Sequence, residues 1–457
     1  MMFSSLSAKP PLFSRFLPLL GVVVGLFLST TVHGQSTAPT FSQVFVFGDS
    51  LSDTGNVANE TNNRFATRYP GDSYNYDGGR FTNGGSTNPG NSTYLGVWHE
   101  QLERALFNPP LARATPSRDG GTNYAFGGAT TESGTKDVTV ISSPEPFSGG
   151  QLTITIDNLG RQIDNFLSRG TAPDSAALYV VWAGGNDLFN DRSAANVTAT
   201  AGRLTTQVER LVRAGAKNVI VPNVPPLGSI PNYSGQPQKA AELNAASASY
   251  RDQLNSNLDT LQARLATDGI PFSLYRLDVY NLFLQLVATP STYGFTNVTQ
   301  SAQGQPVPVN NYLFWDSIHP TTAGHRQIAI AAYELLTHPA FFNGEVSLGS
   351  GVYYLQLAAS GNPFGFYAYL SDNRYIFHYD LGYEYLFDAN DSQSGLYLYD
   401  FTSGSFFYTS RTFPFPYLYD FSLKAVLYYF PNPQQPGRYT SGPRYFYNFA
   451  TGTVITK

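Results

Sequence analysis

Four short stretches of this 457-residue sequence carry side chains that together suit nucleophilic catalysis. The first is "VFVFGDSLSDTGN", in which Ser50 follows a run of apolar residues that is typical of a buried strand. A serine hydroxyl becomes a nucleophile when a base takes its proton and a third group orients that base. Alone, the stretch equally fits a strand that ends in an ordinary Asp/Ser turn. The partners must therefore come from the ends of other strands.

His319 and Asp316 are the candidates for the base and for the group that orients it. They stand three residues apart in "FWDSIHPTTAGH", directly before a helix that Pro320 would open. On a tight turn, this spacing lets the carboxylate accept from one ring nitrogen while the other faces Ser50. Three further histidines are interpreted as surface residues: His99, His325 and His338.

Asn186 and a pair of glycines are the candidate donors to an oxyanion. Asn186 lies in "VVWAGGNDLF", where a strand ends, and its amide either points at an oxyanion or caps a turn or helix. In "YAFGGATT", the backbone N–H of Gly127 or Gly128 is available for the same role. A glycine pair by itself is usually only a turn.

The elements that must position these residues alternate between strands and helices. Apolar runs predict strands, and helical spacing with few breakers predicts the helices between them. The predicted strands are 41–47, 177–184, 218–224 and 272–279, and the predicted helices are 151–168, 194–214, 236–267 and 322–337. This alternation predicts a three-layer α/β domain with a parallel sheet over residues 40–340.

Aromatic residues dominate the rest of the chain, since 29 of the 86 residues from 364 to 449 are Phe or Tyr. Tyr-Asp pairs recur every 20 residues, at Asp380, Asp400 and Asp420, and "YNFATG" near Asn448 resembles a fourth copy. Period-two alternation and hairpin-sized repeats predict a small antiparallel all-β domain over residues 345–457. Its aromatic side chains either pack across strands or bind sugar rings or a hydrophobic surface.

Composition and the N-terminus narrow the classes of function. The chain lacks cysteine, which excludes thiol catalysis and cysteine-ligated metals, and no basic run suggests nucleic-acid binding. Lys9 and Arg15 precede the apolar run 16–28, and small residues lead to Gly34. We therefore expect a signal peptide at 1–34 and a secreted or periplasmic protein, with an uncleaved anchor as the alternative. No metal site is evident, because His319 and Asp316 lack further ligands.

Taken together, the four stretches resemble the motif blocks of the GDSL family of lipases and esterases, the SGNH hydrolases. The blocks stand in the family's order, and the resemblance covers about residues 41–338. The segments "GGRFTNG" and "VWHEQL" also resemble the family, but the apparent insertion "GSTNPGNSTYL" separates them. The resemblance implies a flavodoxin-like fold with five parallel strands and an enzyme without a cofactor.

The resemblance also implies a role for each candidate residue. Ser50 would be the nucleophile, His319 the base and Asp316 the group that orients His319. The oxyanion hole would combine the Ser50 N–H, the Gly127 N–H and the Asn186 side chain, with Gly128 as the alternative to Gly127. Two tryptophans beside the motifs are expected to pack in the core: Trp182 and Trp315.

The implied reaction is hydrolysis of a carboxylic ester through an acyl-enzyme on Ser50. Lipid esters, aryl esters and acetylated polysaccharides all stay open as substrates, because loops set the acyl and alcohol specificity. The alternative function is a catalytically silent hydrolase fold that serves surface adhesion or polymer binding together with the aromatic domain. Substitution at a catalytic position would have favoured this alternative, and the sequence shows none.

Overall fold

The computed structural model describes most of the chain after residue 39. The described ranges are 40–65, 68–72, 75–83, 96–107, 114–141, 151–337, 346–349, 352–355, 364–370, 375–389, 395–410, 412–430 and 443–457. The predicted signal peptide, at 1–34, lies outside them. No helix of the described ranges is long and apolar enough to cross a membrane.

Strands and helices alternate through residues 44–337. In chain order they are β1 Val44–Gly48, α1 Asn56–Phe65, β2 Tyr76–Asp77, β3 Arg80–Asn83, α2 Trp98–Leu106, β4 Thr135–Ile141, β5 Gln151–Asp157, α3 Leu159–Leu167, β6 Leu178–Trp182, α4 Gly185–Asn190, α5 Ala194–Ala214, β7 Asn218–Pro222, α6 Pro237–Thr267, β8 Ser273–Leu277, α7 Val279–Ala288, β9 Asn297–Ser301, β10 Tyr312–Phe314 and α8 Thr322–Thr337. The α/β class and the four predicted parallel strands are confirmed.

The central sheet is parallel, with strand order β1-β6-β7-β8. Every residue of β1 and β6 is buried, because helices cover both faces of the sheet. Among the described residues, the position of the fifth strand that the resemblance implies is taken by the irregular segment 122–126 beside β1. There the Val46 N–H donates to Thr122 O at 3.0 Å, and the Phe126 N–H donates to Gly48 O at 3.1 Å. The sheet therefore has four regular strands, and segment 122–126 lies along its edge.

The prediction of one helix over 151–168 is wrong in its first half. Residues 151–157, "QLTITID", form β5, which pairs in antiparallel register with β4. Ile154 and Ile156 are buried while Thr153 and Thr155 are exposed, and this period of two with β-branched residues favours a strand. Helix α3 begins only at Leu159.

The aromatic part of the chain forms one antiparallel sheet of eleven described strands in sequential order. They are β11 Val346–Gly349, β12 Val352–Leu355, β13 Gly365–Tyr369, β14 Tyr375–His378, β15 Gly382–Asp388, β16 Leu396–Asp400, β17 Ser405–Thr409, β18 Tyr417–Asp420, β19 Ala425–Phe430, β20 Tyr445–Asn448 and β21 Thr453–Thr456. Alternate residues are buried, as the period-two pattern predicts. The predicted all-β class is confirmed, whereas the domain boundary at residues 341–344 lies outside the described residues and stays a prediction.

In the first copy of the aromatic repeat, the residue that accepts the hydrogen bonds of the turn is not the Asp that the Tyr-Asp spacing predicts. Asp400 and Asp420 each end a strand and accept N–H groups of the following turn, and Asn448 does the same. In the first copy, His378 takes this position, because its Nδ1 accepts from the N–H groups of Asp380 and Leu381. The repeated feature is thus a side chain at the end of a strand that accepts N–H groups of the following turn. In the first copy this side chain is His378 and not Asp380.

Candidate active site

The nucleophile candidate sits on a tight turn directly after β1. The N–H groups of Ser52 and Asp53 both donate to Asp49 O at 3.0 Å, and the Leu51 N–H donates to the Asp49 carboxylate. This turn leaves Ser50 half-exposed at the carboxyl end of the sheet. Glycine is required just before it, since a Cβ on Gly48 would lie 2.3 Å from the carbonyl oxygen of the neighbouring strand.

The structure brings Ser50, His319 and Asp316 into one hydrogen-bonded chain. His319 Nε2 lies 2.9 Å from Ser50 Oγ, and His319 Nδ1 lies 2.7 Å from Asp316 Oδ2. A carboxylate only accepts, so Nδ1 carries the proton and Nε2 is left to accept from the serine hydroxyl. This is the arrangement in which an imidazole can take the proton of a serine during attack on a carbonyl.

Hydrogen bonds within the 316–319 turn keep Asp316 ionised. Burial alone would raise the pKa of Asp316, but the charge of the neighbouring His319 and three hydrogen bonds from His319 and Ile318 favour the charged form. Asp316 Oδ1 accepts from the N–H groups of Ile318 and His319, each at 2.7 Å. The pKa of Asp316 therefore lies below its usual range.

The candidate oxyanion donors are arranged differently from the sequence expectation at one position. The Gly127 N–H donates to Asp53 Oδ2 at 2.9 Å, so this favoured donor is already used. The N–H groups of Ser50 and Gly128 have no acceptor among the residues that the structure describes. Asn186 Nδ2 donates one hydrogen to Ala129 O at 2.9 Å and has a second one to offer. Among the described residues, the donors that keep a free hydrogen here are therefore the N–H groups of Ser50 and Gly128 and the Asn186 amide, and their role toward an oxyanion stays a prediction.

Asp53 connects the nucleophile turn to this glycine pair, a role that the sequence analysis missed. Its carboxylate accepts the N–H groups at the start of α1, from Gly55 to Val57, as well as the Gly127 N–H. Burial raises the pKa of Asp53 to about 6 despite these hydrogen bonds. An Asp at the beginning of a predicted helix was the available signal, but it indicates only a cap.

Asp187 anchors the next loop in the same manner. Its carboxylate accepts from the Thr131 N–H at 3.0 Å and from the Thr131 hydroxyl at 2.7 Å, and it pairs with Arg203 at 2.9 Å. The two loops that carry Gly128 and Asn186 are therefore tied together beside the nucleophile.

Two histidines that the sequence analysis placed at the surface are buried instead. His99 in α2 contacts Glu103, and its Nε2 donates to Ser52 O. His325 Nδ1 in α8 accepts from the Trp98 N–H. Burial lowers the pKa of His325 to about 3. Both lie on the inner sides of helices, and this position rather than the residue type decides that they are buried. The third histidine that was expected at the surface, His338, lies outside the described residues.

A cavity of about 480 Å³ opens beside the candidate residues. Its lining includes Ser50, Gly128, Asn186 and His319, and most of its other walls are apolar. These apolar residues include Val57, Phe81, Val138, Trp182, Phe189, Phe283, Phe314 and Ile328. Trp182 and Trp315 are both buried, and Trp182 also forms part of the cavity wall.

Comparisons with known proteins identify the family to which the chain belongs. A family model described as GDSL-like Lipase/Acylhydrolase matches residues 44–332. The phosphatidylcholine-sterol acyltransferase of Aeromonas hydrophila is 28% identical over 382 residues, which cover 71% of this chain and 99% of that protein. Esterase EstA of Pseudomonas aeruginosa is 29% identical over 351 residues, which cover 70% of this chain and 50% of that protein.

The length of the match differs among the relatives. The chain spans about half the length of several curated relatives that it matches. Among solved structures, a member of the lipolytic G-D-S-L family from Veillonella parvula is 16% identical, with a TM-score of 0.30 and coverage of 64% of this chain and 97% of that one. This structural likeness is too low to support an argument about function. The match of the family model to residues 44–332 is enough to place the chain in the family of GDSL-like lipases and acylhydrolases.

Proposed function

We propose that this protein is an exported serine esterase or lipase that hydrolyses carboxylic esters through an acyl-enzyme on Ser50. The observation that carries the proposal is the hydrogen-bonded chain from Ser50 through His319 to Asp316, with 2.9 Å and 2.7 Å between its members. Family membership and the relatives named as esterase and lipase support the same class of reaction.

Each step of the reaction uses a group with suitable geometry. Ser50 Oγ attacks the ester carbonyl carbon while His319 Nε2 takes its proton, and the alcohol leaves with a proton returned by His319. Water then attacks the acyl-enzyme, with His319 again as the base, and the carboxylic acid is released. The N–H groups of Ser50 and Gly128 and the Asn186 amide stabilise the negative oxygen of both tetrahedral intermediates.

The shape of the cavity favours esters with an extended acyl chain. The apolar walls lie next to Ser50 and remove hydrocarbon surface from water at roughly 25 cal/mol per Å². An acetyl group would leave most of a cavity of about 480 Å³ unused. We therefore propose a lipid-type or aryl ester of a longer acid, in preference to an acetylated polysaccharide.

The experiment is a series of p-nitrophenyl esters of increasing acyl length, hydrolysed by the purified protein and by two variants. Ser50→Ala should abolish turnover with an unchanged circular-dichroism spectrum, whereas Ser256→Ala, on the exposed side of α6, should leave the rate unchanged. Turnover retained in Ser50→Ala would refute the nucleophile. A preference for acetate over longer chains would refute the assigned acyl pocket.

Export is a separate part of the proposal and has a separate test. The basic residues Lys9 and Arg15, the apolar run 16–28 and the small residues before Gln35 support it. N-terminal sequencing of protein recovered outside the cytoplasm should begin at or near Gln35. Recovery of only the uncleaved chain in the cytoplasm would contradict export.

The aromatic sheet supports a second proposal, that its outward face contacts a carbohydrate polymer. Large aromatic side chains on this face are 40–52% exposed, among them Tyr383, Phe401 and Phe421. Rings also pack against each other across strands, for example Tyr399 against Phe406 at 4.9 Å between centroids, so part of the aromatic content serves packing. Reduced retention of a Tyr383→Ala, Phe401→Ala double variant on insoluble polysaccharide would support the proposal, and equal retention would contradict it.

A further inference from the structure

We infer that Tyr76 is a positioning residue of the active site. Its hydroxyl holds Asp316 in place, and the negative charge of Asp316 is divided between this hydroxyl and His319. The inference rests on the proposed function. Tyr76 belongs to the short hairpin of β2 and β3, 240 residues before Asp316 in the chain. No pattern in the sequence connects the two positions, and only the tertiary structure brings them together.

The contact between Tyr76 and Asp316 is short and buried. The Tyr76 hydroxyl donates to Asp316 Oδ2 at 2.9 Å, the same oxygen that accepts from His319 Nδ1 at 2.7 Å. Burial and the charge of Asp316 raise the pKa of Tyr76, so its hydroxyl keeps the proton that it donates. Tyr76 thus competes with His319 for the negative charge on one oxygen atom.

Tyr76 completes the set of donors around Asp316. Oδ1 is occupied by the N–H groups of Ile318 and His319, and Oδ2 by the His319 ring and the Tyr76 hydroxyl. In the described part of the chain, Tyr76 is the one donor to this carboxylate that comes from outside the 316–319 turn. Its loss would therefore leave the outer side of Asp316 without a fixed contact.

The rest of the hairpin holds the same turn from its other sides. The Phe81 ring lies 5.0 Å from the His319 ring, centroid to centroid, with a tilt of 36°. The Thr82 hydroxyl donates to Pro320 O at 3.0 Å, and Asn83 Oδ1 accepts from the N–H that starts α8 at 2.7 Å. Because these contacts persist without the Tyr76 hydroxyl, its removal should perturb charge and orientation rather than unfold the site.

The expected chemistry has a definite sign. Without the Tyr76 hydroxyl, the full charge of Asp316 Oδ2 acts on the Nδ1 proton of His319, so the imidazole takes up a second proton more readily. In the described part of the chain, Asp49 at the end of β1 and His325 in α8 also interact electrostatically with His319, and Lys136 lines the same cavity. None of these three residues is substituted in the variant. The acidic limb of the pH–rate profile, on which the rate falls as His319 becomes protonated, should therefore move to higher pH.

The test compares Tyr76→Phe with the matched control Tyr179→Phe. Tyr179 is also buried, and its hydroxyl donates to a backbone oxygen, Asp174 O, at the same distance of 2.9 Å but far from the site. We expect kcat/KM of Tyr76→Phe to fall about 3- to 30-fold, with the acidic limb displaced upward, and the control to match the wild type. A loss with an unmoved limb, or no loss, would overturn the inference.

Two further measurements separate the inference from the proposed function. In a chain that already carries Asp316→Asn, Tyr76→Phe should lower the residual rate less than twofold, and a fully additive loss would overturn the inference. The low-field proton NMR signal of His319 Nδ1–H, assigned by its absence in His319→Gln, should shift in Tyr76→Phe and not in Tyr179→Phe. This signal reports the contact even if the wild type hydrolyses no tested ester, and an unmoved signal would refute it.

Discussion

Gln162 should be essential for the position of the nucleophile turn, although it lies in α3 and far from Ser50 in the chain. Its Oε1 accepts from the Gly48 N–H at 2.8 Å, and its Nε2 donates to Gly48 O at 2.8 Å and to Asp157 O at 2.9 Å. Gln162 therefore supplies hydrogen bonds that an additional regular strand would otherwise make at the end of β1. We predict that Gln162→Leu lowers both stability and activity.

The size of the effect follows from the groups that lose their partners. The Gly48 N–H becomes a buried donor without an acceptor, which costs about 1–3 kcal/mol. Gly48 O keeps its bond from the Phe126 N–H at 3.1 Å, so it and Asp157 O each lose only one bond, at about 0.5–1.5 kcal/mol. We expect the free energy of unfolding to fall by about 2–6 kcal/mol.

Urea unfolding followed by tryptophan fluorescence measures this loss in the relevant part of the chain. The three tryptophans of the sequence, at positions 98, 182 and 315, all lie within the family-matched residues 44–332. Gln253→Leu is the matched control. Among the described residues, the Gln253 side chain bonds Asn257 one turn along α6, and its substitution should change the free energy of unfolding by less than about 0.5 kcal/mol. A change as small as this in Gln162→Leu, with an unaltered kcat, would refute the reasoning.

Two other predictions concern the glycine pair and the residue before the nucleophile. Gly127→Ala should lower kcat/KM about 10- to 100-fold, because the new Cβ would lie 2.4 Å from the Phe81 ring, which packs on His319. The control Gly202→Ala should leave kcat/KM unchanged, because the space around Gly202 is open. Burial raises the pKa of Asp49 from 3.8 to about 7, so the folded state holds a proton that the unfolded state releases. The free energy of unfolding of the wild type should thus fall by about 3 kcal/mol relative to Asp49→Asn as the pH rises from 4 to 7. Urea titrations at several pH values measure this difference, and a difference independent of pH would contradict the assignment.

Local pattern was sufficient for the elements whose burial follows directly from the sequence. The helix at 194–214 has the predicted bounds, because its apolar spacing is long and its ends carry a Ser193 cap and Gly215. Residues 151–157 were assigned to a helix because their alternation is short and directly precedes α3. Their strand state depends on pairing with β4, and this pairing is a tertiary contact that no local pattern contains.

The choice between Gly127 and Gly128 as oxyanion donor shows the same limit of local sequence pattern inside the site. Two adjacent glycines have equivalent backbone N–H groups in the sequence, so their chemistry does not distinguish Gly127 from Gly128. The distinction comes from Asp53, 74 residues earlier in the chain, whose carboxylate takes the Gly127 N–H. Which donor is left for a substrate is therefore decided by a contact between two loops.

The sequence by itself determined the class of the fold, the family and the residue types that bear the chemistry, because each of these depends on periodicity or on a short motif. Only the tertiary structure decided which groups share an atom. Tyr76 on Asp316, Gln162 on Gly48 and Asp53 on Gly127 each join residues at least 74 positions apart. Hydrogen bonds act over about 3 Å, and distances of this size between distant residues exist only once the core has packed.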